Sequence, residues 1–178
     1  MKRKILCPTD FSAHSRAGIA CAALLAATTG AELLLFHVTR FPFHELLVPC
    51  DAGTAVIEQR LRALAVCRLL REAEAGIRRF VELHFARQFG DLSWRAVAGL
   101  GKVPAEILAT ACREEADLIV MGRRDRPPLQ RLFSRSVSEA VSRAAPCPVL
   151  TVRPAQVIEP GAGSPTPALA AVLQGSRA

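Results

Sequence analysis

Tyrosine is absent from this sequence and tryptophan occurs once, so eight phenylalanines supply almost all of the aromatic surface. Proteins that hold single strands of nucleic acid stack bases on aromatic side chains, and here such platforms are few. Long apolar runs are missing too. None approaches the roughly 20 residues that cross a bilayer, so no membrane partner is expected. The basic start gives way after Ile5 to Cys7 to a Pro8-Thr9-Asp10 turn, unlike a secretion signal, and a cytoplasmic location is the expectation. Six cysteines, at 7, 21, 50, 67, 112 and 147, never fall in the close pairs that bind zinc or run dithiol chemistry. Free, mostly buried thiols are expected, with no metal site. There is no Gly-x-Ser-x-Gly elbow, and Gly101-Lys102 lacks both the upstream glycine and the following Ser or Thr of a P-loop. No catalytic residue is assigned.

The composition that remains, 51% hydrophobic and 22% charged over 178 residues, suits one globular domain with a sizeable core. Strands and helices alternate along it. Lys4 to Pro8 reads as a strand. Ser12 then stands as the N-cap of a helix from Ala13 to Thr28 that Gly30 closes. Ala31 to Val38 is a second strand, and Ala55 to about Gln88 is helical, with a break expected near Gly76. Ser93 to Ala98 alternates and reads as a strand nearer an edge. A helix from Val103 to Glu115, a strand from Leu118 to Met121, a short helix from about Ser134 to Ala145 and a strand from Val149 to Val152 complete the set. The apolar strands lack polar alternation, as strands covered on both faces do. A doubly wound α/β domain with a parallel sheet over residues 1–153 follows. Beyond Arg153 prolines and glycines punctuate the chain, and residues 154–178 are expected to be a flexible, disordered tail. The Thr39 to Gly53 loop, with Phe41 and Phe43, is a lid or a self-packed surface loop.

Ligands of α/β folds gather where loops leave the carboxyl ends of strands. The loop after Gly122 is basic: from Arg123 to Arg143 six arginines face Asp125 and Glu139, a net +4 of the chain's +7. That is a surface for an anionic partner, or a solvated loop. His14 is expected on the exposed side of the first helix, and His37 as a hydrogen-bonded core histidine. Gly99-x-Gly101 is a fragment of a dinucleotide fingerprint with Pro104 at its third position.

Several stretches together resemble the universal stress protein family, the UspA-like domain. They are ILCPTDFSAHS followed by GAELLLFHV, the Gly101 to Ile107 turn and helix, DLIVMG, and APCPVLTV ending at Val152. The resemblance covers residues 3–153. It implies five parallel strands in the order 3-2-1-4-5, an adenine nucleotide alpha hydrolase-like, Rossmann-like sandwich. It also implies that Asp10 and Val38 border an adenine nucleotide, and that Gly122, Ser136 and Val137 belong to a Gly-x-x-Gly, nine residues, Gly-Ser loop around its phosphates. In this chain the second glycine position holds Asp125 and the third Arg135. A side chain there narrows the approach of backbone to phosphate, and the Asp125 carboxylate repels it.

The reading is a stress-response or signalling factor, non-enzymatic, with ATP binding lost and no cofactor expected. It would act through a homodimer, formed by the Pro148 to Val152 edge strand, and through protein partners. One alternative is an ATP or AMP sensor, with Mg, in which arginines replace the loop glycines. A nucleic-acid binder using the basic patch is the other.

Overall fold

The computed structural model describes residues 2–40, 55–123 and 136–154, with side chains from 59 onward in the second stretch. Five strands, β1 (Lys4–Pro8), β2 (Glu32–Thr39), β3 (Trp94–Leu100), β4 (Leu118–Gly122) and β5 (Val149–Val152), form one sheet in the order β3-β2-β1-β4-β5. Every pairing is parallel. Helices α1 (Ala13–Thr29), α2 (Ala55–Phe89), α3 (Val103–Arg113) and α4 (Val137–Ala144) connect them. The expected fold class and strand order are therefore those observed.

The uninterrupted apolar strands are explained by two cores. Side chains alternate across the sheet, so Ile5, Cys7, Leu33 and Leu35 meet α1 and α2 on one face. Leu6, Leu34, Phe36 and Ile119 meet α3 and α4 on the other. Burial drives the Cys7 thiol far above its ordinary pKa and keeps it protonated. The expectation of mostly buried thiols holds only for Cys7 among the described residues: Cys21 and Cys147 are half-buried, Cys67 and Cys112 are exposed, and Cys50 lies outside the described residues.

The expected break at Gly76 does not occur. Helix α2 runs unbroken for 35 residues. One internal glycine costs a helix about 1 kcal/mol, too little to interrupt one anchored on the sheet from Ile77 to Phe89. Strand β3 extends two residues past Ala98, because its register with β2 continues to Thr39 opposite Leu100.

The sheet reverses its winding between β1 and β4, which opens a crevice at their carboxyl ends. There α1 lies almost on the backbone of β4. A Cβ added to Gly122 would stand 2.0 Å from the His14 carbonyl oxygen, and one on Gly18 would stand 2.6 Å from the Gly122 nitrogen. Two glycines thus set the distance between helix and strand. At the opposite end of the sheet Lys4 Nζ donates to the Glu114 carbonyl at 2.8 Å, and Arg95 pairs with Glu32 and Glu114.

Candidate functional site

The crevice is built first by the turn that ends β1. The Thr9 amide donates to the Phe36 carbonyl at 2.8 Å, which continues the ladder one residue beyond the strand. Phe11 follows with φ of 62°, a left-handed conformation that costs a bulky residue about 1–3 kcal/mol. What holds it there is packing: its ring lies 4.5 Å from that of His37 and 5.2 Å from Phe80 on α2. A relay of hydroxyls fixes the turn. The Phe11 amide donates to Thr9 Oγ1 at 3.0 Å, Thr9 to Ser15 Oγ at 3.1 Å, and Ser15 to the Ser12 carbonyl at 2.9 Å.

Asp10 projects from the same turn. Its Oδ1 accepts from the Ser12 amide at 3.0 Å and also from the Ser12 hydroxyl. Ser12 Oγ in turn accepts from the Ser15 amide and caps α1, as expected from its position. The carboxylate therefore braces the cap and faces the crevice at once. His37 Nδ1 stands 2.8 Å from the Thr9 carbonyl. A carbonyl only accepts, so the ring proton sits on Nδ1. His37 is satisfied, as expected, though partly exposed rather than buried.

The cavity holds about 240 Å³. Its apolar wall is Phe36 and Val38 from β2, Val103 and Ile107 from α3, and Met121 from β4. Asp10, Ser12 and His14 line one rim, and Ser136, Val137 and Ser138 line another. Asp10, Val38, Gly122, Ser136 and Val137, singled out in the sequence, all border this one space. Asp125 and Arg135 lie outside the described residues, as does the Thr39 to Gly53 loop from 41 onward.

Ser136 is the N-cap of α4, in a capping box with Glu139. The Glu139 amide donates to Ser136 Oγ at 3.2 Å, and the Ser136 amide donates back to Glu139 Oε2 at 3.4 Å. Ser138 Oγ is 3.0 Å from Ser136 Oγ. The Ser136 amide is thus taken by a carboxylate that already occupies the positive end of the helix, while its hydroxyl oxygen accepts from Glu139. Among the described lining residues Asp10 carries a formal charge and no Lys or Arg takes part.

Sequence reasoning missed His14, Thr9, Ser15, Ile107 and Met121 as lining residues. His14 is half-buried at the rim rather than on the exposed side. The signal for it was available: a residue two past an N-cap must lie beside the strand end that the helix leaves. Gly99 and Gly101 need no phosphate to explain them. A Cβ on Gly99 would meet the Phe36 ring at 2.6 Å, and Gly101 turns the chain with φ of 144°.

Known proteins share this framework. The model of the Universal stress protein family matches residues 1–153. A universal stress protein of Thermus aquaticus is 34% identical over 153 residues, 86% of this chain and 100% of that one. One from Methanocaldococcus jannaschii is 32% identical over 158 residues, 85% of this chain and 82% of that one. A universal stress protein solved in complex with cAMP superposes with a TM-score of 0.55 at 17% identity, covering 85% of this chain and 97% of that one.

Proposed function

This chain belongs to the universal stress protein family, and on that premise we propose that it is a non-enzymatic stress-response factor whose crevice has lost firm hold of triphosphate. The observation that carries the reading is the capping box, in which the Glu139 carboxylate takes up the Ser136 amide that a phosphate would need and sets a negative charge at the start of the helix. Asp10 at the rim adds negative charge where an anion would approach. The protein then acts in the cytoplasm by assembly: as a homodimer joined through residues 148–152, and with protein partners. No helix among the described residues is long and apolar enough to cross a membrane.

A second reading has its own support. The apolar wall of Phe36, Val38, Ile107 and Met121 is a formed slot of the kind a purine fills, and one relative was solved with cAMP. On this reading the crevice takes the adenosine part of AMP or a cyclic nucleotide and tolerates little phosphate. The basic segment from Arg123 to Arg143 leaves nucleic acid as a third reading, one that predicts affinity falling steeply with salt.

Calorimetric titration separates the first two. The native chain and an Asp125→Gly/Arg135→Gly/Glu139→Ala variant, which also frees the Ser136 amide, are titrated with Mg-ATP, AMP and cAMP. Heat with Mg-ATP is expected only from the variant. Micromolar Mg-ATP binding by the native chain would overturn the reading, and binding of AMP or cAMP alone would select the second.

A further inference from the structure

Helix α2 is longer than the body it packs on. Its 35 residues span about 52 Å at 1.5 Å per residue, whereas an eight-residue strand such as β2 spans about 26 Å. Ile77, Val81, Phe85 and Phe89 bury one stripe of it against the sheet, and no residue from 59 to 75 is buried. Since α2 begins beyond the carboxyl end of β2 and returns to the start of β3, its first half projects past the carboxyl end of the sheet. The contact of Phe80 with Phe11 marks the level at which it leaves the body.

Opposite the buried stripe runs a second one at helical spacing: Leu61, Leu64, Arg68, Glu72, Ala75 and Arg79. Leu61 and Leu64 are 58% and 66% exposed, one turn apart. Arg68 Nε donates to Glu72 at 2.8 Å in the middle of the stripe. Read in reverse, the order of these residues complements itself. An antiparallel copy, related by a twofold axis passing between Arg68 and Glu72, sets Arg68 against the partner's Glu72 and Glu72 against the partner's Arg68. The same axis seats Leu64 over the partner's Ala75 and lays Leu61 under the aliphatic stem of the partner's Arg79. A parallel, in-register pair would instead oppose arginine to arginine and glutamate to glutamate, so the charges select one orientation.

We propose that the outer face of α2 is a self-association surface on which a second copy of this chain docks as an antiparallel helix pair. The contact runs from 61 to 79, about 27 Å of helix. It leaves each body on its own side, because the buried stripe faces the other way. One helix pair falls short of the roughly 800 Å² per partner of a standard interface, so micromolar association is expected.

The test is sedimentation equilibrium on Arg68→Glu and Glu72→Arg, singly and mixed, each in a Thr151→Pro background that blocks pairing through β5. Arg68→Glu places acids at both 68 and 72 and Glu72→Arg places bases at both, so each alone opposes like charges across the axis. Each single variant is expected to weaken association at least tenfold, and the equimolar mixture to restore it. Both positions are solvent-exposed, so circular dichroism should stay native, and rescue on mixing is an outcome that misfolding would not produce. A Thr151→Pro chain that does not associate, single variants that associate as that chain does, or a mixture that stays dissociated would each overturn the proposal.

Discussion

At the scale of single residues, Gly122 shows how a motif position acquires a structural reason. In the family pattern it opens a phosphate loop, yet its lack of a side chain is already required by the His14 carbonyl, 2.0 Å from where a Cβ would stand. Gly122→Ala is therefore expected to destabilise the fold by roughly 3 kcal/mol, because neither helix nor strand backbone can yield cheaply. Urea unfolding checks this beside Gly90→Ala, where a Cβ would meet nothing within 4 Å. Equal midpoints for the two variants would show that α1 is free to move off β4, leaving the phosphate role as the reason for glycine. Residue identities near the crevice were readable where chemistry is local: Ser12 as a cap, Asp10 after the turn. Phe11 was not. Its left-handed backbone is held by His37 and Phe80, residues 26 and 69 positions later in the sequence, and no local preference announces that.

At the scale of elements, periodicity located every helix and strand among the described residues to within a few residues, because each apolar run has a sheet face to bury. It failed where burial stops. The break assigned to Gly76 came from length and one glycine, while the helix persists because propagation adds a hydrogen bond for each residue fixed. Helix α4 is the opposite case, eight residues with Val141 as its buried anchor, so its capping box carries much of its stability. Ser136→Ala should lower stability by about 1 kcal/mol. A urea midpoint unchanged from the native value would mean that the box contributes nothing, and Ser136 would then be available to a ligand rather than committed to the helix. The glutamate at the third helical position was visible in the sequence as Ser136-x-x-Glu139. Its bearing on phosphate emerges only when the cap is seen at the rim of the crevice.

At the scale of the whole molecule, strand alternation alone gives a parallel sheet, and the order 3-2-1-4-5 came from the resemblance, since short-range pattern does not encode which strands become neighbours. That order leaves β5 at an edge. The Ile119 amide donates to the Pro148 carbonyl at 3.0 Å and the Arg123 amide to the Val152 carbonyl at 2.7 Å. Residues 148, 150 and 152 thus turn their carbonyls toward β4, and Thr151 turns its N–H toward the open edge. Thr151→Pro removes that outward donor while sparing the β4 ladder, so it blocks edge pairing without unfolding the sheet. If the proposed dimer forms through residues 148–152, the variant should sediment at half the native mass with an unchanged circular dichroism spectrum. Two isologous surfaces, β5 and the outer face of α2, would generate a closed tetramer or an open chain rather than a simple dimer. The two substitutions then act independently: Thr151→Pro leaves pairs joined through α2, Arg68→Glu leaves pairs joined through β5, and the combined variant is a monomer. A Thr151→Pro chain that is folded and keeps its full native mass would remove β5 as an interface and leave α2 to account for any assembly alone.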